Sequence, residues 1–149
     1  MTKTVYAILT IILCSVPLVS QAPKGVEFNH TAIYVQDLSK SADFYEKVMG
    51  LEKIPDPFHD GRHVWLRVGP HGQLHLVAGA TRASGTDISH HTAFRVPSIP
   101  DFMAHLDQMK IKYRSYDGTD KTNVRPDGVH QIYLQDPDGY WIEVNDDRF

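Results

Sequence analysis

Apolar and polar residues alternate along residues 131–145, on both sides of a turn at 136–139. The turn, Asp-Pro-Asp-Gly, combines a proline that sets one backbone dihedral with a glycine that accepts a positive φ. One face of the flanking segments is aliphatic, and the other carries Tyr133, Trp141 and Glu143. The alternation predicts a β-hairpin with one buried face. Because solvated strand faces usually carry Lys, Thr or Ser, the aromatic face favours a pocket wall; the alternative is an ordinary half-exposed hairpin.

Periods of two and of about 3.6 residues recur along the rest of the chain and predict further strands and two helices. The predicted strands lie at 26–35, 51–58, 63–68, 73–77, 90–96 and 111–116. Ser39 is predicted to cap the first helix, and Gly50 to end it in a left-handed conformation. Ser98 is predicted to cap the second helix. Each helix therefore follows one strand and precedes three extended segments.

The two halves of the chain match in their residues as well as in the order of their elements. His-Thr-Ala occurs at 30–32 and again at 91–93, at equivalent places in the first strand of each half. Together with the matching order of elements, this repeat at the strand starts indicates duplication of one supersecondary unit. The sequence therefore predicts an α+β fold of two tandem βαβββ modules, residues 26–80 and 86–147, which form a concave mixed sheet.

The N-terminal residues 1–22 differ from the rest of the chain. Lys3 precedes an almost unbroken apolar run that ends near Val19, and small residues follow it. This pattern predicts a secretory signal peptide, since the run is short for a membrane span; an uncleaved anchor helix is the alternative. Cleavage leaves a domain at 23–149 without the only cysteine, Cys14. The expected location is the periplasm or the extracellular medium, with no membrane attachment.

Four metal-binding side chains fall at equivalent positions of the two modules. His30 and His91 lie in the first strands, and His75 and Glu143 in the last strands, on the faces opposite the aliphatic residues. Such nitrogen and oxygen donors favour a divalent transition metal: Zn, Ni, Mn or Fe. His90 has the opposite parity and is predicted to point away. Module two has one more residue between its turn glycine and Glu143 than module one has between its turn glycine and His75. A bulge is therefore needed to keep His75 on this face.

The same faces carry candidates for substrate binding. Arg67 and Arg95 are predicted to hold an anionic substrate, although neutralising nearby carboxylates is an alternative role for both. The apolar walls are predicted to be Trp65, Tyr133 and Trp141. The net charge of the chain is −3, so the charge gives no indication of nucleic-acid binding. The expected partner is therefore a small molecule.

The sequence resembles that of a known family over about residues 26–146. The segment from Asp37 to Tyr45, a Gly-Leu pair at 50–51, and the 136–139 turn leading to Glu143 are similar to motifs of the vicinal oxygen chelate superfamily. That superfamily includes glyoxalase I, bleomycin-resistance proteins, extradiol dioxygenases, fosfomycin-resistance transferases and methylmalonyl-CoA epimerases. The resemblance implies a metal site at the four positions and a homodimer whose sites are shared by both subunits.

The resemblance also implies a function. We expect lyase- or isomerase-type chemistry on a small substrate that chelates the metal through adjacent oxygens. Glu143, or a ligand displaced by substrate such as His75, is expected to move the proton. Glyoxalase I carries glutamate where this chain has His75, so lactoylglutathione formation is expected to be weak or absent. The alternatives are a non-catalytic protein that sequesters an aromatic ligand and an iron-dependent ring-cleaving dioxygenase.

Overall fold

The structure, a computed structural model, describes residues 25–148, and the predicted signal peptide lies outside this range. The elements in chain order are β1 His30–Val35, α1 Leu38–Lys47, β2 Glu52–Ile54, β3 His63–Val68, β4 Gly72–Ala78, β5 His91–Arg95, α2 Ile99–Gln108, β6 Tyr113–Arg114, β7 Asn123–Val124, β8 His130–Gln135 and β9 Trp141–Asn145. The predicted α+β fold of two βαβββ modules is confirmed, with β7 as an additional short strand. Neither helix of the described chain has the length and apolar character needed to cross a bilayer.

Each module forms its own mixed sheet. The first has the order β1-β4-β3-β2, and the second has the order β5-β9-β8-β6, with β7 added alongside β8. The first strand of each module runs parallel to the last, and the other neighbours are antiparallel. Strands β1 and β5 are therefore edge strands of their sheets within the described chain.

Three strands are at least four residues shorter than the alternation predicts. The first begins at His30 rather than at residue 26, because its partner β4 begins at Gly72 and offers no backbone beyond that point. Strand β2 ends at Ile54, before two prolines that cannot donate to a ladder. The third, β6, is reduced to Tyr113–Arg114.

The helix ends follow capping chemistry. Ser98 caps α2 as predicted, its side chain accepting a hydrogen bond of 3.2 Å from Asp101 N. The prediction for Ser39 is wrong: Asp37 caps α1, accepting a hydrogen bond of 3.0 Å from Lys40 N. Ser39 lies inside the first turn, while the carboxylate two residues earlier reaches the free N–H group. Gly50 has the predicted left-handed conformation, with φ of 69°.

The aliphatic faces of both modules join in one hydrophobic core. Its fully buried members come from β3, β4, β8, β9, α2 and β1, and the largest are Leu66, Leu74, Leu76, Leu106, Ile132, Leu134, Ile142 and Val35. The alternating faces were therefore predicted correctly. The polar and aromatic residues of the same strands lie on the opposite side of each sheet.

The 136–139 turn fastens the second module to the first. The two carboxylate oxygens of Asp138 accept hydrogen bonds of 2.7 Å from Gln36 N and from the Ser41 hydroxyl. The Tyr45 hydroxyl donates to Asp136 over 2.9 Å. Burial raises the pKa of Asp136 above its usual value, against the lowering effect of its hydrogen bonds. The turn therefore connects β8 to β9 and also forms buried hydrogen bonds between the two modules.

Candidate functional site

The strand registers place His75 and Glu143 at equivalent positions of the two sheets. His75 pairs with Ala32 of β1 and Trp65 of β3. Glu143 pairs in the same way with Ala93 of β5 and Tyr133 of β8. The pairing of β4 with β1 and β3 is continuous through this row, so the bulge that the sequence required for His75 is not needed.

In module one, His75 is held in a stack of three rings. Its imidazole lies 4.3 Å from the His30 ring, at an interplanar angle of 13°, and 3.9 Å from the Trp65 ring, at 6°. His75 Nε2 lies 2.7 Å from Gln73 Oε1. Burial, followed by the proximity of His30, lowers the pKa of His75 below its usual value. The ring is therefore neutral at pH 7, the form that binds metals.

In module two, His91 and Glu143 form a close contact of 3.1 Å between Nε2 and Oε2. His91 Nδ1 lies 2.7 Å from the carbonyl oxygen of Ile88, which can only accept, so Nδ1 carries a hydrogen. A neutral His91 then presents a lone pair on Nε2 to a carboxylate oxygen. The contact requires a positive charge between these two atoms, supplied either by a proton on Nε2 or by a metal ion.

The carboxylate of Glu143 is buried and held on both oxygens. The Tyr133 hydroxyl donates to Oε2 over 2.6 Å, and Asn145 Nδ2 donates to Oε1 over 2.7 Å. Burial raises the pKa of Glu143, but the hydrogen bonds from Tyr133, Asn145 and Gln131 and the proximity of His91 outweigh it, so that the pKa lies below its usual value. Burial and the bond to Glu143 raise the pKa of Tyr133. Glu143 is therefore an ionised, fixed ligand candidate.

The two pairs fit a metal ion unequally. The donors of a tetrahedral site lie about 3.3 Å apart at ordinary zinc distances, close to the contact between His91 and Glu143. Their hydrogen bonds to Ile88, Tyr133 and Asn145 are of the kind that orients metal ligands. The rings of His30 and His75 are nearly parallel, so their lone pairs do not converge on one point, and one ring must rotate before both bind the same ion.

The structure does not bring the four predicted ligands into one group. Among residues 25–148, three candidate ligand residues lie with their ligand atoms within 4.8 Å of one another: Asp56 and Asp60 in the loop before β3, and His63 at the start of β3. Asp60 accepts hydrogen bonds from Arg62 N and contacts His63 Nδ1 at 2.9 Å. This acidic and histidine cluster is a candidate metal site that the alternation did not single out, because two of its three members lie in the loop between β2 and β3.

The predicted arginines have protein partners. Arg67 Nε donates to Glu52 over 3.1 Å in an exposed pair, and Arg95 Nη1 donates to the carbonyl oxygen of Asp147 over 3.4 Å. For Arg67 this is the alternative role, that of neutralising a carboxylate. A third arginine, Arg114, lies with its guanidinium carbon 4.8 Å from the centre of the Trp141 ring. Sequence reasoning placed Arg114 in the predicted strand at 111–116 but assigned no face to that strand, so the contact with Trp141 was missed.

Of the remaining predicted residues, His90 is exposed, as its parity predicted. Trp65 presents a buried Nε1 without a hydrogen-bond partner. The three predicted aromatic residues therefore lie beside the ligand candidates: Trp65 against His75, Tyr133 on Glu143, and Trp141 paired in register with His91.

The chain is similar to several known proteins. It is 29% identical to a lactoylglutathione lyase of Pseudomonas putida, over 78% of this chain and 83% of that protein. It is also 29% identical to the mitochondrial methylmalonyl-CoA epimerase of Homo sapiens, over 78% and 71%. A solved structure of a putative glyoxalase family protein from Bacillus anthracis superposes with a TM-score of 0.67 at 23% identity, covering 86% of this chain and all of that one. The sequence model of one family matches residues 27–144, and the chain belongs to that family, the Glyoxalase/Bleomycin resistance protein/Dioxygenase superfamily.

Proposed function

We propose that the protein is a metal-dependent enzyme with lyase- or isomerase-type chemistry on a small substrate that offers two adjacent oxygens. The observation that carries the proposal is the contact between His91 Nε2 and Glu143 Oε2, two acceptors 3.1 Å apart that need a positive charge between them. The relatives named above as a lyase and an epimerase are enzymes, which supports a catalytic role.

Each residue of the site has a distinct role in this proposal. A bound divalent metal supplies Lewis acidity, which stabilises negative charge on an oxygen of the substrate. Glu143 accepts or returns the proton at a carbon beside that oxygen, since its low pKa keeps it ionised. The Tyr133 hydroxyl holds Oε2 in place, and His75, neutral at pH 7, is the second candidate base.

We propose that the site is completed in a homodimer, with His30 and His75 of one copy meeting His91 and Glu143 of the other. The two pairs lie on separate sheets within the described chain, and no three of these residues share one 4.8 Å group there. The edge strand β1 also exposes large hydrophobic side chains on and before it: Val26 (87%), Phe28 (68%) and Tyr34 (48%). Light scattering tests the dimer, and a clean monomer at high concentration contradicts it.

A second function, sequestration of a flat aromatic ligand without turnover, is favoured by one observation. The stack of Trp65, His75 and His30 is an arrangement of parallel rings, which suits binding of another planar group better than convergent coordination. If this function is correct, the protein binds planar ligands equally well with and without metal.

Elemental analysis of protein purified without added metal, followed by an assay panel on each metal form, tests the proposal. We expect one transition metal per complete set of four ligands, and turnover of an anionic α-hydroxy-carbonyl or a similar compound with vicinal oxygens. Robust lactoylglutathione formation by the unmodified protein would show that His75 in place of glutamate does not matter. Oxygen uptake by the iron form indicates a dioxygenase, and ligand binding without turnover in every form indicates sequestration.

Single substitutions test the ligand assignment. His91→Ala is expected to lose metal, and His90→Ala, whose exposed side chain lies off the site, is expected to keep it. Equal loss in both variants contradicts the register. His63→Ala separates this site from the Asp56, Asp60 and His63 cluster, because it removes a ligand from the cluster alone.

We also propose that residues 1–22 are a signal peptide and that the exported domain is 23–149. The charge and apolar pattern supports this, and the family match begins only at residue 27. N-terminal sequencing of the exported protein is expected to begin near Gln21 or Pro23. An intact Met1 on the exported protein contradicts the proposal.

A further inference from the structure

A cleft of about 600 Å³ lies along the outer edge of the second sheet, next to the residues of the candidate site. Three basic residues at alternate positions, Lys110, Lys112 and Arg114, line it together with Tyr133 and Trp141. They place three positive charges in one cleft of a chain whose net charge is −3. A cleft of this volume is in the range that holds small ligands.

Arg114 is held in place by uncharged groups, which do not neutralise its positive charge. Its guanidinium lies over the Trp141 ring, and its Nη1 donates to the carbonyl oxygen of Tyr116 over 3.2 Å. At Gly118, φ is 76°, and a Cβ there would come within 2.6 Å of Arg114 Nη1, so the glycine makes room for the guanidinium.

The carboxylates of two neighbouring residues, Asp107 and Asp117, already have partners within the chain. The carboxylate of Asp107 accepts a hydrogen bond of 3.1 Å from the Tyr113 hydroxyl and lies 3.8 Å from Lys121 Nζ. Asp117 accepts from Ser115 and Thr119. Among the ion pairs of the described chain, Arg67 and Arg125 have carboxylate partners, and none involves Arg114. The guanidinium of Arg114 can therefore form charge-assisted hydrogen bonds with an anion from outside the chain.

The strand register gives the spacing between Arg114 and the candidate metal ligand Glu143. Arg114 pairs with Tyr133, and Tyr133 pairs with Glu143, so the three residues lie in one row across β6, β8 and β9. Two strand spacings separate the Cα atoms of Arg114 and Glu143 by about 10 Å. The equivalent row of module one has Ile54 in the place of Arg114. The basic end is thus a feature of one module only.

We propose that this cleft is an anion-binding subsite and that Arg114 selects substrates carrying a carboxylate or phosphate at the end remote from the chelating oxygens. This inference rests on the proposed function for the location of the chelating end, whereas the anion subsite itself depends only on the cleft. Trp141 and Tyr133 contact the body of the substrate between its two ends. The substrate class is a small acid of extended shape with vicinal oxygens at one end.

Fluorescence titration with inorganic phosphate and with succinate, at constant ionic strength, tests the subsite. The chain has two tryptophans, so in a Trp65→Phe background Trp141 is the only tryptophan and reports directly on the cleft. We expect at least one of the two anions to bind with a dissociation constant of about 1 mM. Tighter binding of phosphate indicates a phosphorylated substrate, and tighter binding of succinate indicates a carboxylate.

Variants in the same background give the specificity of the signal. Arg114→Gln is expected to weaken binding about tenfold or more, and Arg114→Lys by less, because lysine keeps the charge but not the planar fork. Lys53→Gln, on β2 of the other sheet, is the matched control and is expected to bind as its parent does. Failure of both anions to bind, unchanged binding in Arg114→Gln, or an equal loss in Lys53→Gln would overturn the proposal.

A Glu143→Gln variant separates this proposal from the proposed function. Glu143→Gln is expected to lose metal while binding the anion no more weakly than its parent. If metal is never bound but phosphate or succinate binding depends on Arg114, the proposed function fails and the subsite stands. If metal and activity are normal and neither anion binds, the subsite fails alone.

Discussion

The hydrogen bond from the Tyr133 hydroxyl to Glu143 gives the sharpest test of how the site is organised. Tyr133→Phe removes one oxygen atom and keeps the ring, which packs edge-on against His91 and Tyr116. The carboxylate stays buried, at 5% exposure, and retains its bond from Asn145. The substitution therefore isolates one charge-assisted hydrogen bond of 2.6 Å.

The expected effect follows from the strength of that bond. A hydrogen bond to a charged group contributes about 1.5–3 kcal/mol, so the metal-free protein should lose roughly that much free energy of unfolding. Removing a group that orients a metal ligand usually costs about 10–100-fold in metal affinity. The pKa of Glu143 should rise, since the bond from Tyr133 is the first of the interactions that lower it.

Competition with a chelating dye measures the metal affinity, and urea unfolding of the metal-free protein measures the stability. Tyr116→Phe is the matched control, because the Tyr116 hydroxyl contacts Ser89 and not Glu143. If Tyr133→Phe binds metal as tightly as the parent, Glu143 is not held as a ligand by Tyr133. A similar loss in Tyr116→Phe would show that the effect does not come from the hydrogen bond to Glu143.

Three further substitutions test the fold. Leu66→Ala, at a side chain with 0% exposure in the core, is expected to lower the free energy of unfolding by about 2–5 kcal/mol, and a loss below about 1 kcal/mol in urea titrations would show that this core position is loosely packed. Ser98→Ala is expected to cost about 1 kcal/mol by removing the cap of α2, as measured by thermal unfolding, and no change would contradict the capping role. For Asp136, burial raises the folded-state pKa above 3.8, so its stabilising contribution is present below the unfolded pKa and is lost as the pH rises through the folded pKa. The free energy of unfolding of the parent, relative to that of Asp136→Asn, should therefore fall across that pH window and then level off. Parallel pH curves for the two proteins would contradict this.

Alternation along each strand was sufficient to predict which face of the sheet every ligand candidate occupies. His30, His75, His91 and Glu143 lie on the side opposite the aliphatic core, because side chains alternate with a period that local sequence determines. Sequence counting suggested a bulge before His75. The register of β4 with its two neighbours makes it unnecessary, since the difference is taken up before the paired strand begins.

What local pattern could not predict depends on packing between distant segments. Both Asp37 and Ser39 are good capping residues, and only the position of the first helical turn decides between them. From sequence, the 136–139 turn is predicted only to connect two strands of a hairpin. In the structure its carboxylates are buried against α1 of the other module, about a hundred residues away. Arg114 lies in the predicted strand at 111–116, but only the register of β6 with β8 pairs it with Tyr133.

The central claim, that each metal site takes two ligands from each of two copies, is tested most directly by mixing two inactive proteins. One variant lacks His30 and His75, and the other lacks His91 and Glu143. Each alone should bind no metal at the four-ligand site. After subunit exchange, a mixed dimer combines the intact halves of both chains in one of its two sites. Because random exchange makes half of the dimers mixed, about a quarter of the parent's metal content should return, measured by elemental analysis after gel filtration. If the variants exchange subunits and no metal returns, the ligands are completed within one chain, and the account is contradicted.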